Sequence, residues 1–214
     1  MAENVLVIKE VTKKFKNATA LDKVSVSFEA GKIHGIIGRN GSGKTVLFKC
    51  ICGFMPLTSG QIIMDGKQIG REIEVPHDVG IIIEAPGFLP NYSGFRNLKL
   101  LSLIRKKIDD TRIKDTLKRV GLDPDSKKWV SKYSLGMRQR LGIAQAIMED
   151  PSMLILDEPM NGLDKHGVED VRQLLLTLKE EGKTILIASH SSEDIAKLCD
   201  TVCEMDAGIL TAIR

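Results

Sequence analysis

The chain has 214 residues, 43% of them hydrophobic and 28% charged, with a net charge of +3. That length suits one α/β domain with a sizeable core and an inserted subdomain, and is too short for two such domains. So mild a charge is no signature of nucleic-acid binding, and no apolar run approaches the length of about 18 residues that a membrane span requires. The opening MAENVLVIKEVTKKF lacks a charged region leading into an apolar one, so no secretory signal is expected and the cytosol is the expected compartment.

Val5 to Val11 is apolar-rich but broken by Lys9 and Glu10, and a basic turn at Lys13 and Lys14 presents Phe15. Val24, Val26 and Phe28 alternate with Ser25 and Ser27, the period of a half-buried strand, so the chain is expected to begin as an antiparallel hairpin. Ile33 to Ile37 is a short apolar strand. The loop behind it, Gly38, Arg39, Asn40, Gly41, Ser42, Gly43, Lys44 and Thr45, fits G-x-x-x-x-G-K-[ST], with the preceding strand and following helix that the motif requires. This is a phosphate cradle. Glycines let the backbone curl with its N–H groups inward where a Cβ would block the approach, and the helix N-terminus adds partial positive charge. Lys44 supplies a point charge for the β/γ-phosphates, and the Thr45 hydroxyl is placed to ligate Mg²⁺.

Cys50 and Cys52 lie two apart on the following helix and point to different faces, and Cys199 and Cys203 straddle a helix end. Reduced, buried thiols are expected rather than a metal site. His34, His77 and His166 read as structural or surface residues. GQIIMDGKQI, Gly60 to Ile69, reads as a second hairpin turning at Asp65-Gly66. Val79 to Ile83 is a strand suited to a sheet buried on both faces and ends at Glu84, after which Pro86, Gly87, Pro90 and Gly94 break regular structure.

Helical periodicity runs from Asn97 to about Val120, through Leu98, Leu101, Ile104, Ile113 and Leu117. Between Phe88 and Arg140 fourteen bases stand against five acids, net +9, which leaves −6 on the rest of the chain. The asymmetry marks a lobe with its own contact surface. Strands resume at Met153 to Asp157 and Thr184 to Ala188, separated by a helix with Val168, Val171, Leu174, Leu175 and Leu178 on one face and Gly182 as its stop. Val202 to Met205 and Ile209 to Ile213 form a closing hairpin. Asp157 and Glu158 end an apolar strand, where α/β sheets bind ligands; Asp157 is expected to hold Mg²⁺ and Glu158 to act as general base.

YSLGMRQRLGIAQAIMEDP precedes the carboxylate strand, and NGLD at Asn161 to Asp164 and then His190 follow it. Together with the cradle, this order resembles the ATP-binding subunit of ABC transporters over essentially the whole chain. The resemblance implies a P-loop NTPase core with a mainly parallel sheet (1–88 and 135–214), an N-terminal antiparallel β subdomain and an inserted α-helical subdomain (89–134). It implies that Phe15 stacks on adenine, that Gly38 to Thr45 is the Walker A loop, and that Glu84 holds the Q-loop position at the metal. Ser134 and Gly136 then lie in the signature segment, Asp157 and Glu158 form Walker B with the catalytic carboxylate, Asp164 belongs to the D-loop, and His190 contacts the γ-phosphate. It further implies a homodimer on ATP binding, an integral membrane permease as partner, no nucleic acid, and a place on the cytoplasmic face of the cell membrane. Leu135 replaces a usual glycine, Glu84 a usual glutamine, and Phe15 a usual tyrosine. SLGM with a Q-loop glutamate is similar to the bacitracin and lantibiotic-type exporters. A soluble ATPase acting on nucleic acid or ribosomes, and a weakly hydrolysing ATP sensor, are the competing readings.

Overall fold

Strands β1 (Asn4–Phe15) and β2 (Ala18–Glu29) open the chain as an antiparallel hairpin in the computed structural model, which describes residues 4–214. The turn expected at Lys13 and Lys14 is corrected: both lie inside β1, and the chain reverses at Lys16 and Asn17. A left-handed residue at Glu10 (φ 49°) and shifts of register let one strand continue past its polar interruption. Its far end is fastened by Lys13 Nζ on Pro56 O at 2.7 Å and Lys14 N on Thr58 Oγ1 at 2.9 Å.

Strand β3 (Ile33–Ile37) and helix α1 (Lys44–Ile51) follow, and then β4 (Ser59–Met64) and β5 (Lys67–Gln68), which join through the Asp65-Gly66 turn. One sheet has the order β2-β1-β4-β5 and is antiparallel. The second holds β6 (Val79–Ile82), β7 (Met153–Asp157), β8 (Thr184–Ala188), β9 (Thr201–Asp206) and β10 (Ile209–Ala212) around β3, in the order β10-β9-β3-β8-β7-β6. It is parallel except for β10 at its edge.

Burial on both faces explains the unbroken apolar runs of β7 and β8. Met153 and Ile155 join the core against α1 and the antiparallel sheet, whereas Leu154 and Leu156 join the core on the helical side. β8 repeats the division, Leu186 and Ala188 against Ile185 and Ile187. Helix α1 fills the space between the sheets with Leu47, Phe48 and Ile51, none of them exposed. Each such side chain contributes about 1.5–3 kcal/mol by leaving water.

The helical stretch expected from Asn97 to Val120 is two helices, α2 (Gly94–Arg105) and α3 (Asp110–Arg119). Lys106 turns left-handed at φ 53° to end the first, and the Asp109 carboxylate caps the second by accepting from Arg112 N at 2.8 Å. Leu98 and Ile113 reach one common core, which is why their spacing reads as one pattern. Helices α4 (Leu135–Ile147), α5 (Lys165–Glu180) and α6 (Ser192–Leu198) complete the helical side.

Candidate functional site

Three adjacent parallel strands end on one edge of the sheet. Ile36 of β3 pairs with Ala188 of β8, and Ala188 with Asp157 of β7. The residues that follow each strand therefore emerge side by side at the carboxyl ends, where open α/β sheets take ligands.

From β3 comes the loop to Thr45. Gly38 (φ 147°) and Gly43 (φ 117°) hold a curl that only glycine permits, since a Cβ would come within 2.2 Å of Met205 O at the first and 2.6 Å of Ala20 O at the second. Arg39 and Asn40 are exposed at its crest. Lys44, only 6% exposed, turns back so that Nζ donates to Gly38 O at 2.6 Å and Arg39 O at 3.1 Å. Ser42 Oγ is buried without a hydrogen-bond partner among the described residues. The first N–H groups of α1 also lack helical acceptors, so phosphate oxygens are what this loop is short of.

From β7 come Asp157 and Glu158. Thr45 Oγ1 donates to Asp157 Oδ2 at 2.6 Å. Burial pushes the Asp157 carboxyl above the usual carboxylate range; the Thr45 hydroxyl opposes the rise, Glu158 adds to it, Lys44 opposes it and Glu84 adds to it. A buried carboxylate beside a hydroxyl presents oxygens that suit a hard divalent ion, so Thr45 and Asp157 fit Mg²⁺. Glu158 sits in the left-handed region (φ 50°) with its N–H on Ala188 O at 2.9 Å, and its Oε2 lies 2.9 Å from His190 Nδ1 at the end of β8.

Glu84 lines the same cavity of about 500 Å³ as the loop, Asp157 and Glu158. Its Oε1, however, accepts from Lys49 Nζ at 2.6 Å, one turn beyond Thr45 on α1. Phe15 is 47% exposed at the end of β1, with Lys13 Nζ 5.2 Å from its ring centre. Its hairpin reaches the cavity through Ala20. Ser134, Gly136 and Asp164 line no part of that cavity. Ser134 Oγ caps α4 by accepting from Met137 N at 3.1 Å, and Asp164 caps α5 by accepting from Gly167 N at 2.8 Å. Gly136 lies against Gly162, whose O would be 3.3 Å from a Cβ at 136.

Gln139 was not among the expected residues. It lines the cavity from α4, with Nε2 donating to Glu158 O at 3.2 Å and Pro159 O at 3.0 Å. Between two arginines it reads as a solvated helix position, and only the fold turns it inward. His34 is buried, its ring nitrogens on Thr201 Oγ1 at 2.7 Å and Glu29 O at 2.9 Å, while His77 and His166 are exposed. All four cysteines are buried free thiols. Burial pushes Cys50 up to about 11, against the pull of Lys13, and Cys52 and Cys199 up to about 12.

The family model of the ABC transporter matches residues 21–161. YybJ of Bacillus subtilis, an uncharacterised ABC transporter ATP-binding protein, is 49% identical over 200 residues, 94% of this chain and 92% of its own. The bacitracin transport ATP-binding protein BcrA of Enterococcus faecalis is 40% identical over 97% of this chain and 68% of its own, and the lantibiotic transport ATP-binding protein SrtF of Streptococcus pyogenes 36% over 92% and 85%. In fold, the chain matches the ATP-binding cassette MJ0796, solved as a dimer in a post-hydrolysis state with ADP and phosphate, at a TM-score of 0.87 and 22% identity over 98% of this chain and 99% of that one. The expected α/β architecture thus stands, and the chain belongs to the ABC transporter family as one of its ATP-binding subunits.

Proposed function

We propose that this ATPase subunit hydrolyses ATP on the β3–β7–β8 edge and powers a separately encoded permease that exports a peptide or another amphipathic compound. The observation that carries the reading is the contact of Glu158 Oε2 with His190 Nδ1, beside the Thr45–Asp157 hydrogen bond at the mouth of the phosphate loop. Lys44 and the loop backbone bind the phosphates, and Phe15 stacks on the adenine. Glu158 takes the proton of the attacking water, a role worth about 10²- to 10⁴-fold in rate. His190 holds Glu158 and reaches the γ-phosphate. Thr45 and Asp157 would hold Mg²⁺, which when bound neutralises phosphate charge; Glu84 would join them only by exchanging Lys49. Ser134, Gly136 and Asp164 face a second copy of the chain, so that each ATP is closed between two copies.

Among the described residues no helix is long and apolar enough to cross a membrane, and the subunit acts from the cytoplasmic face through its partner. The inserted lobe, 89–134, is the proposed contact. Beside it a groove of about 440 Å³ runs from Ile83 and Pro86 to Leu101 and Ile104 of α2, and Ile104 is 77% exposed. Peptide export is supported by what BcrA and SrtF are described as transporting. No observation favours the nucleic-acid or sensor readings.

The test is phosphate release by the subunit assembled with its permease in lipid, with and without amphipathic peptides. Stimulation by peptide is expected. A rate that no peptide changes, from an assembly that does hydrolyse ATP, would move the cargo to another class.

A further inference from the structure

We infer that Arg172 is a positioning residue for hydrolysis, bolting α6 to α5 and so fixing where His190 meets Glu158. The inference rests on the role proposed above for His190. Arg172 is the one arginine among the buried polar side chains of the described residues, 6% exposed, and Asp194 beside it is 4% exposed. Its Nε donates to Asp194 Oδ1 at 2.8 Å and Nη2 donates to the same oxygen, while Nη1 reaches Glu193 Oε1 at 3.2 Å and Glu169 Oε2 at 3.3 Å. One cation thus gathers three carboxylates, two of them from the first turn of α6. A buried pair of this kind adds little stability over apolar side chains of the same size, so what it contributes is a defined geometry.

The active edge has a use for that geometry. Helix α6 has seven residues, too few to hold its own shape, and His190 stands directly before its capping residue, Ser191, whose Oγ accepts from Asp194 N at 3.3 Å. The imidazole is 69% exposed, and among the described residues its hydrogen bond to Glu158 is its one polar tether. With the ring mostly in water, its direction is set largely by the backbone from Ser189 to Ser192, and Asp194 anchors that backbone. The groups share one cavity of about 600 Å³, lined by Glu158 and His190 as well as by Arg172 and Asp194. Helix α5 is itself seated in the core by Val171, Leu175 and Leu178, so Arg172 ties His190 to a rigid block.

The experiment measures ATP affinity and turnover of the permease-assembled subunit for His190→Ala, for Arg172→Met with Asp194→Leu, and for all three changes together. Removing both buried charges at once leaves neither one buried and unpaired. The paired change is expected to leave ATP affinity as in wild type and to lower kcat about tenfold, the scale of a slightly misplaced group, and to lower it no further once His190 is alanine. Wild-type kcat in the paired variant, or a tenfold loss undiminished in the His190→Ala background, overturns the proposal and leaves His190 in its role. Wild-type turnover in His190→Ala overturns that role and the proposal with it. Should the paired variant not fold, Arg172→Lys, which keeps the charge but cannot grip Asp194 with two nitrogens, gives the same comparison: its loss of kcat is expected to vanish in the His190→Ala background, and a loss that persists there overturns the proposal.

Discussion

On the β3–β7–β8 edge the buried charges of Lys44 and Asp157 have short engagements, Lys44 on Gly38 O and Asp157 with Thr45. In the lobe at 89–134 the charges are more numerous and lie in water, and the apolar residues Leu103, Ile104 and Trp129 are exposed by about half or more. The lobe's excess of bases nevertheless has a second destination besides a partner's surface. Arg105, Arg112 and Arg119 pair with Glu149, Asp150 and Glu181, all outside the lobe. Part of the asymmetry of +9 against −6 is thus an attraction of the lobe to its own core. Exposed pairs contribute about 0–1 kcal/mol each and weaken with salt, whereas a core leucine truncated to alanine costs about 2–5 kcal/mol. The core holds the chemistry rigidly; the lobe shares that core through Leu98 and Ile113, and its ion pairs add contacts weak enough to exchange.

The comparison breaks hardest at Glu158. Glu158→Gln keeps the shape and removes the base, so turnover is expected to fall about 10²- to 10⁴-fold, or roughly 3–5 kcal/mol of barrier, with ATP still bound. Lys44→Ala removes the cation from the loop, and calorimetry is expected to show ATP affinity reduced by about 1.5–3 kcal/mol. Equal affinities would contradict the cradle.

Asp157→Asn sharpens the contrast through pH. Because the folded-state pKa of Asp157 is raised, its contribution to stability is full below the unfolded carboxylate range and is lost as pH rises through the folded value. The asparagine variant is therefore expected to melt above wild type at pH 7 in chelator, to lose that advantage in acid, and to lose hydrolysis. A lower melting point at pH 7 would show that Asp157 is satisfied without a cation. In the lobe, Arg105→Glu breaks the pair with Glu149 and is expected to weaken co-purification with the permease modestly and in a salt-dependent way. No change at low salt would place the contact elsewhere. The smallest effect is expected at the cysteines, where a disulfide-exchange reagent at pH 8 should label none of the four until denaturant is added, because burial holds the thiols protonated.

The cradle was legible because its glycines, lysine and threonine are adjacent in sequence, and β7 and β8 because double burial writes an unbroken apolar run. What escaped depends on contacts between distant elements. The Lys49–Glu84 pair joins positions 35 residues apart, and Gln139 turns toward Glu158 only once α4 packs against β6. The break at Lys106 is invisible to periodicity because both flanking helices face one core. The reach of β1 past Glu10 likewise follows from bonds to Pro56 and Thr58 that no local pattern announces.

The central claim is that one chain builds half of each site, with the phosphate loop on one copy and Ser134 and Gly136 on the other. The most direct measurement is the mass of Glu158→Gln by light scattering with and without ATP, alone and combined with Ser134→Glu. The account expects a particle of twice the chain's mass with ATP, a single chain without it, and a single chain that still binds ATP when Ser134 is replaced. A Glu158→Gln protein that binds ATP and stays a single chain, or a Ser134→Glu variant that still pairs, would contradict it.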